Sequence, residues 1–275
     1  MSVRSRLGTG FKLAGGSAAV LRNNPRLLVF PVVAGAAIVA YVTAVFGGLI
    51  VSAESISLPV LIAVLFGVYA GSMFVMSFCI AALAWAARET FAGRTPGTFD
   101  AFRAAAGHVW ALACWALLSA FVGVALRALE ESSNIGGMIV AMVLNMGWFA
   151  LTYFVVPVIV FEDARPTSMI QESGRLVRET WGETLGSEFG VSVVTALLTL
   201  PGVLLAVGLF VVASGNAAIV AAGIGLALAG IGLLIGVTLG GVAKVALYVF
   251  AREETAPDAF DDSLFEQATD ASRQS

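Results

Sequence analysis

Long uncharged stretches alternate with short charge-bearing segments along this chain. Residues 27–53, 55–87, 104–126, 132–161 and 189–243 contain no Asp, Glu, Lys or Arg. A helix needs about 20 apolar residues to cross a bilayer. Each of the first four stretches is long enough for one crossing, and the last for two, with a turn at Ser214, Gly215 and Asn216. The pattern predicts six transmembrane helices. A β-barrel would alternate apolar and polar residues over roughly ten positions. Residues 193–212 and 217–242 are instead apolar almost throughout. In hydrocarbon only helices and closed barrels satisfy their own backbone, so the expected fold class is all-α.

The segments between these runs carry a second period. Over residues 166–183, a helical projection puts Met169, Ile170, Ser173, Leu176, Val177, Thr180 and Trp181 on one side. Glu172, Arg175, Arg178, Glu179 and Glu183 fall on the other. Glu172 with Arg175, and Arg175 with Glu179, are spaced for pairing. Such a helix should lie at the membrane interface, apolar side down, with Trp181 at headgroup depth. A similar unit opens at Pro96, Gly97 and Thr98, with Phe99 and Phe102 apolar, Asp100 and Arg103 polar, and Trp110 following. A less regular version precedes the first run: Phe11, Leu13, Val20 and Leu21 with Lys12 and Arg22. The expectation is three units over residues 1–251, each a cytoplasmic interfacial helix followed by a transmembrane hairpin. An acidic, disordered cytoplasmic tail would occupy 252–275, its composition too polar to fold alone.

Charge orients the helices. Basic residues on cytoplasmic loops fix topology. Fourteen of the fifteen Lys and Arg residues fall on the side of the chain termini, and only Arg127 falls on the other, beside Glu130 and Glu131. Both termini are therefore expected in the cytoplasm of a multi-pass cell-membrane protein. Composition agrees: 59% of residues are hydrophobic and 12% charged, against about 25% charged in ordinary soluble domains.

Two segments resemble a known family. One runs from Phe154 through Pro157 to Glu162 and Asp163, followed by Ser173, Leu176, Trp181, Gly182 and Glu183. The other runs from Leu21 through Asn24 and Pro25 to Phe30 and Pro31. Both resemble signatures of an uncharacterised prokaryotic six-span membrane family, a domain of unknown function. That family is loosely similar to the membrane domain attached to some glycerophosphodiesterases. The resemblance implies a fold and no activity, since the catalytic half of those enzymes has no counterpart in the sequence.

Candidate chemistry is sparse. Gly232, Gly236 and Gly240 recur every four residues in the last run. They could line a path on a mobile helix, but small residues also let helices pack closely in lipid, and packing is the preferred reading. The 35 residues from Ala217 to Ala251 would be about 52 Å as one helix. Such a helix either projects beyond a bilayer core of about 30 Å or breaks at its glycines. Pro31, Pro157 and Pro201 suit kinks. Asn145 is a polar residue at depth, expected to bond another helix. Glu162 and Asp163 close the fourth run, where capping or a pair with Arg165 is the simplest role. His108 is the single histidine, and Cys79 and Cys114 both fall inside predicted spans, so neither a disulfide framework nor a metal site is expected.

No catalytic or cofactor-binding motif is present in the sequence. The expected function is non-enzymatic: a scaffold, or an organiser of a complex or of lipid, acting on the cytoplasmic face. It would work through membrane lipids and a protein partner at the cytoplasmic helices or tail, with Arg175, Arg178, Trp181, Glu162 and Asp163 as interfacial residues. No nucleic acid is expected, and a homo-oligomer is compatible. The alternative is a transporter or channel for a small or apolar solute, suggested by the glycines, the prolines and the apparent repeat.

Overall fold

A computed structural model describes residues 3–52, 57–132, 135–179, 181–212, 216–253 and 260. Side chains are described from Phe11 onward, except at 52, 132, 135–136, 179, 181–189, 212 and 216. The described residues are helical, with ten α-helices and no strand among them: α1 (Val3–Asn23), α2 (Val29–Ser52), α3 (Leu58–Phe91), α4 (Thr98–Ala106), α5 (Val109–Ser132), α6 (Ile135–Thr152), α7 (Val155–Glu162), α8 (Met169–Glu179), α9 (Trp181–Val212) and α10 (Asn216–Glu253). A short 3-10 helix, Pro25–Leu28, leads into α2.

Six helical segments are long and apolar enough to cross a membrane: Pro25–Val51, Leu58–Phe91, Val109–Glu131, Gly137–Glu162, Gly190–Val211 and Ala217–Glu253. The protein is a multi-pass membrane protein. The expected turn at Ser214 and Gly215 lies outside the described residues, as does all of the tail from 254 except Phe260.

The described residues fall into two compact units. The first draws on Met1–Leu28, Ala87–Arg94 and Thr180–Ser275. Its centre is α9 against α10, with α1 laid on both. On α1 the residues Leu13, Ala14, Ser17, Val20 and Leu21 are buried, whereas Lys12 and Arg22 are exposed. The three- and four-residue spacing of the buried set gives one helix stripe, and that stripe is spent on protein. α3 ends in this unit with a tight stop. Gly93 takes a left-handed φ of 72°, Arg94 N–H donates to the Glu89 carbonyl, and Gly93 N–H donates to that of Thr90. This is the paired bonding that a C-terminal glycine permits. Arg94 also clamps the Glu89 carboxylate through two bonds, at 2.5 and 2.7 Å.

The second unit comprises Val29–Ala86 and Thr95–Glu179. Within it α5 packs on α6, and α8 packs on both α6 and α7. Tyr41 of α2 donates to the Gly67 carbonyl of α3 at 2.9 Å. Phe102 of α4 meets Phe30 edge-on at 5.3 Å and stacks on Phe78 at 6.1 Å. Its neighbour Phe99 is 78% exposed, so the two phenylalanines expected on one apolar side have different surroundings.

Proline acts differently at its three positions. Pro31 sits in the first turn of α2, where its missing N–H is lost at no cost. Pro201 lies inside a continuous α9. Pro157 accompanies a real break, described next. α10 is one unbroken helix of 38 residues, roughly 57 Å at 1.5 Å per residue. Of the two alternatives left by the sequence, the structure has the continuous one.

Candidate functional site

The fourth span is interrupted at Tyr153 and Phe154, between α6 and α7. Pro157 has no N–H to return to the carbonyl four residues earlier, that of Tyr153, and its ring disfavours a continuous helix there. An interruption frees backbone groups that hydrocarbon cannot satisfy. One of them, the Phe154 N–H, donates to Ser173 Oγ at 3.0 Å in a buried setting. Ser173 is fully buried on α8, flanked on the same stripe by buried Met169, Leu176 and Val177. Gly174 lets α8 approach: an added Cβ there would lie 3.0 Å from Leu151 of α6. Phe154 itself is fully buried, with the Tyr153 ring edge-on at 4.8 Å.

The same end of the span carries the ionisable residues. Asp163 caps α7 in a left-handed conformation, φ 50° and ψ 34°, which a short polar side chain tolerates. Its carboxylate faces Nδ1 of His108 at 3.4 Å and is 90% exposed. The sequence left capping of the next helix or a pair with Arg165 as the alternatives. Among the described residues the partner is His108 instead, brought there by the start of α5. Glu162 is the last residue of α7 and half-buried.

On α8, Glu172 pairs with Arg175, while Gln171, Arg175 and Arg178 are exposed. The side chains of Glu179, Trp181 and Glu183 lie outside the described residues. The apolar side of α8, expected to rest in lipid, is filled by α6 and α7. The sequence showed that side but gave no sign of its occupant, because Ser173 and Phe154 are 19 residues apart.

Gly232, Gly236 and Gly240 lie along the seam between α9 and α10. A Cβ on Gly232 would strike the Leu198 carbonyl, and one on Gly236 the Thr195 side chain. At Gly240 it would reach Val191 Cγ1 at 3.4 Å. Further along, Gly225 abuts Ala206, and Gly202 abuts Ala229. Each step of about four residues down α10 matches a similar step up α9, an antiparallel register held by small residues.

Asn145 is exposed on α6. No group of three His, Cys, Asp or Glu side chains that could hold a metal occurs among the described residues. The family model that matches the chain is that of DUF6159, a family of unknown function, and it covers residues 59–257. The Phe154 to Asp163 segment, Ser173 and the α9–α10 seam fall inside that range, whereas α1 and α2 precede it. No curated protein and no solved structure matches the chain.

Proposed function

The chain belongs to the DUF6159 family of unknown function, and we propose that it is a non-enzymatic cell-membrane protein that organises a complex, or the lipid around it, from the cytoplasmic face. The observation that carries this reading is the two-sidedness of α8. Its apolar stripe is filled by α6 and α7, so its outward side is Gln171, Arg175 and Arg178. A guanidinium on a helix locked to the spans is pre-oriented for phosphate or carboxylate oxygens. α1 repeats the arrangement, with Lys12 and Arg22 outward and Leu13, Ser17 and Leu21 buried. Phe99 and Trp110, 78% and 74% exposed, suit headgroup depth. In this reading both termini are cytoplasmic, and α1, α4 and α8 are the surface helices that precede three pairs of spans. Transport draws less support. Its candidate path, α10, is continuous, and Gly232 and Gly236 are in contact with α9.

The test is reversal of both guanidinium charges in the full chain, Arg175→Glu with Arg178→Glu. Wild type and variant would be extracted mildly from native membranes, and the retained lipids and proteins identified by mass spectrometry. The expected result is loss of an anionic lipid or a protein partner at an unchanged melting temperature. Identical retained sets would overturn the reading.

A further inference from the structure

One exposed flank of α6 borders the side that packs on α5. Met138, Met142 and Phe149 are 56%, 62% and 48% exposed, and Asn145 among them is exposed too. Its inner side is taken by α5. Ala141 is fully buried, and Trp148 stacks on Trp115 at 6.0 Å. Asn145 lies within the span Gly137–Glu162, about 12 Å from its start at 1.5 Å per residue, hence well inside the hydrocarbon. Its side-chain amide carries two donors and an acceptor, and it has no hydrogen bond among the described residues. Three threonines in the spans are treated differently, although Thr199 Oγ1 also lacks a partner. Thr152, Thr195 and Thr238 each donate to the carbonyl four residues back, at 2.7, 2.8 and 2.7 Å. An amide left open to lipid is costly, and lipid tails offer it nothing.

We infer that the chain pairs with a second copy of itself along this side of α6, the Asn145 amides of the two copies bonded to each other. The spacing along α6 and two physical arguments select this occupant. Met138, Met142, Asn145 and Phe149 follow steps of four, three and four, which is the seam of two helices crossing at a shallow angle. Copies inserted with one topology associate laterally about an axis along the membrane normal, so their α6 helices run parallel and a given residue meets its own copy at the same depth. A primary amide is also its own complement, donor to acceptor in both directions. The flanking methionines are unbranched and adapt to the same surface of the rotated copy. This pairing is independent of the charged helix surfaces invoked above.

The test uses the full chain in phospholipid vesicles. A photo-activatable phenylalanine analogue at position 142 or 149 should yield covalent dimers, and the same group at position 143, on another exposed side of α6, should yield far fewer. With donor- and acceptor-labelled protein, Asn145→Leu should weaken the dimer about tenfold on lipid dilution, since it removes both bonds of the reciprocal amide pair. Asn145→Gln, which keeps the amide, should restore most of it. Monomers at every dilution, equal cross-linking from 142, 149 and 143, or a dimer indifferent to Asn145→Leu would each overturn the inference. So would cross-links in native membranes that reach only a different protein. The cross-linking arm keeps Asn145 intact, so a folding defect in Asn145→Leu cannot mimic either answer.

Discussion

A buried hydrogen bond couples the broken span to the helix that follows it. The Phe154 N–H has Ser173 Oγ as its acceptor in a buried setting. Ser173→Ala should therefore cost about 1–3 kcal/mol, the penalty of a buried donor left unpaired. Denaturant titration in micelles would check this, with Ser168→Ala, an exposed hydroxyl on a loop carbonyl, as the comparison expected to change little. Were both substitutions equally mild, α8 would be held by apolar contact alone. At this scale the sequence was half legible. Ser173 stands out as a small polar residue on an apolar stripe, and Pro157 announces that a backbone bond is missing nearby. Their connection is tertiary and leaves no periodic trace. The same holds for His108 and Asp163, which share no local spacing and meet because α5 begins where α7 ends.

Element boundaries were far more legible than element contacts. Lipid excludes charge so strongly that most limits of the uncharged runs fall within five residues of the span limits, with the last span running ten residues past its run. What packs on what is less visible, since a transmembrane helix can be apolar all round. The glycines of α10 are the exception, because a four-residue spacing implies a close neighbour on one side without saying which. The structure identifies α9 as that neighbour and separates glycines that matter from those that do not. Gly232→Val would force its side chain into the Leu198 backbone, which cannot yield as a side-chain end would. A loss of about 1–3 kcal/mol or more is expected from such overpacking. Gly223 and Gly230 have open space around them, so Gly223→Ala and Gly230→Ala should stay within about 1 kcal/mol of wild type, if anything gaining helix propensity. Thermal unfolding of the three variants in one detergent measures the contrast. Equal effects at all three positions would mean that α9 and α10 do not hold each other in this register.

On the scale of the whole chain, the region after α10 was expected to be a solvated acidic tail, and one residue of it has a definite place. Phe260 is buried, 5% exposed, with the Phe91 ring edge-on at 5.8 Å. Its ring lies against Gly16 of α1, where an added Cβ would come within 2.5 Å of Phe260 Cδ1. Nearby, Glu253 at the end of α10 pairs with Arg88 at 3.3 Å, an exposed contact of little energetic weight. Among the described residues after Glu253, it is the Phe260 ring that meets α1 and the end of α3. Composition could not reveal this, because phenylalanines in an acidic stretch read as solvated, and the seat of Phe260 is the absence of a side chain at Gly16. Burial of a phenylalanine stabilises by about 1.5–3 kcal/mol, so Phe260→Ala should raise the population of the released segment roughly tenfold or more. Limited proteolysis beyond residue 253 should accelerate in proportion, since cleavage follows the open population when reclosing is fast. Gly16→Val fills the seat from the other side and should give the same acceleration. Two substitutions that abolish one contact are not additive, so the double variant should be cleaved no faster than either single one. Additive rates would mean that Phe260 and Gly16 act on cleavage separately, and that the segment is held elsewhere.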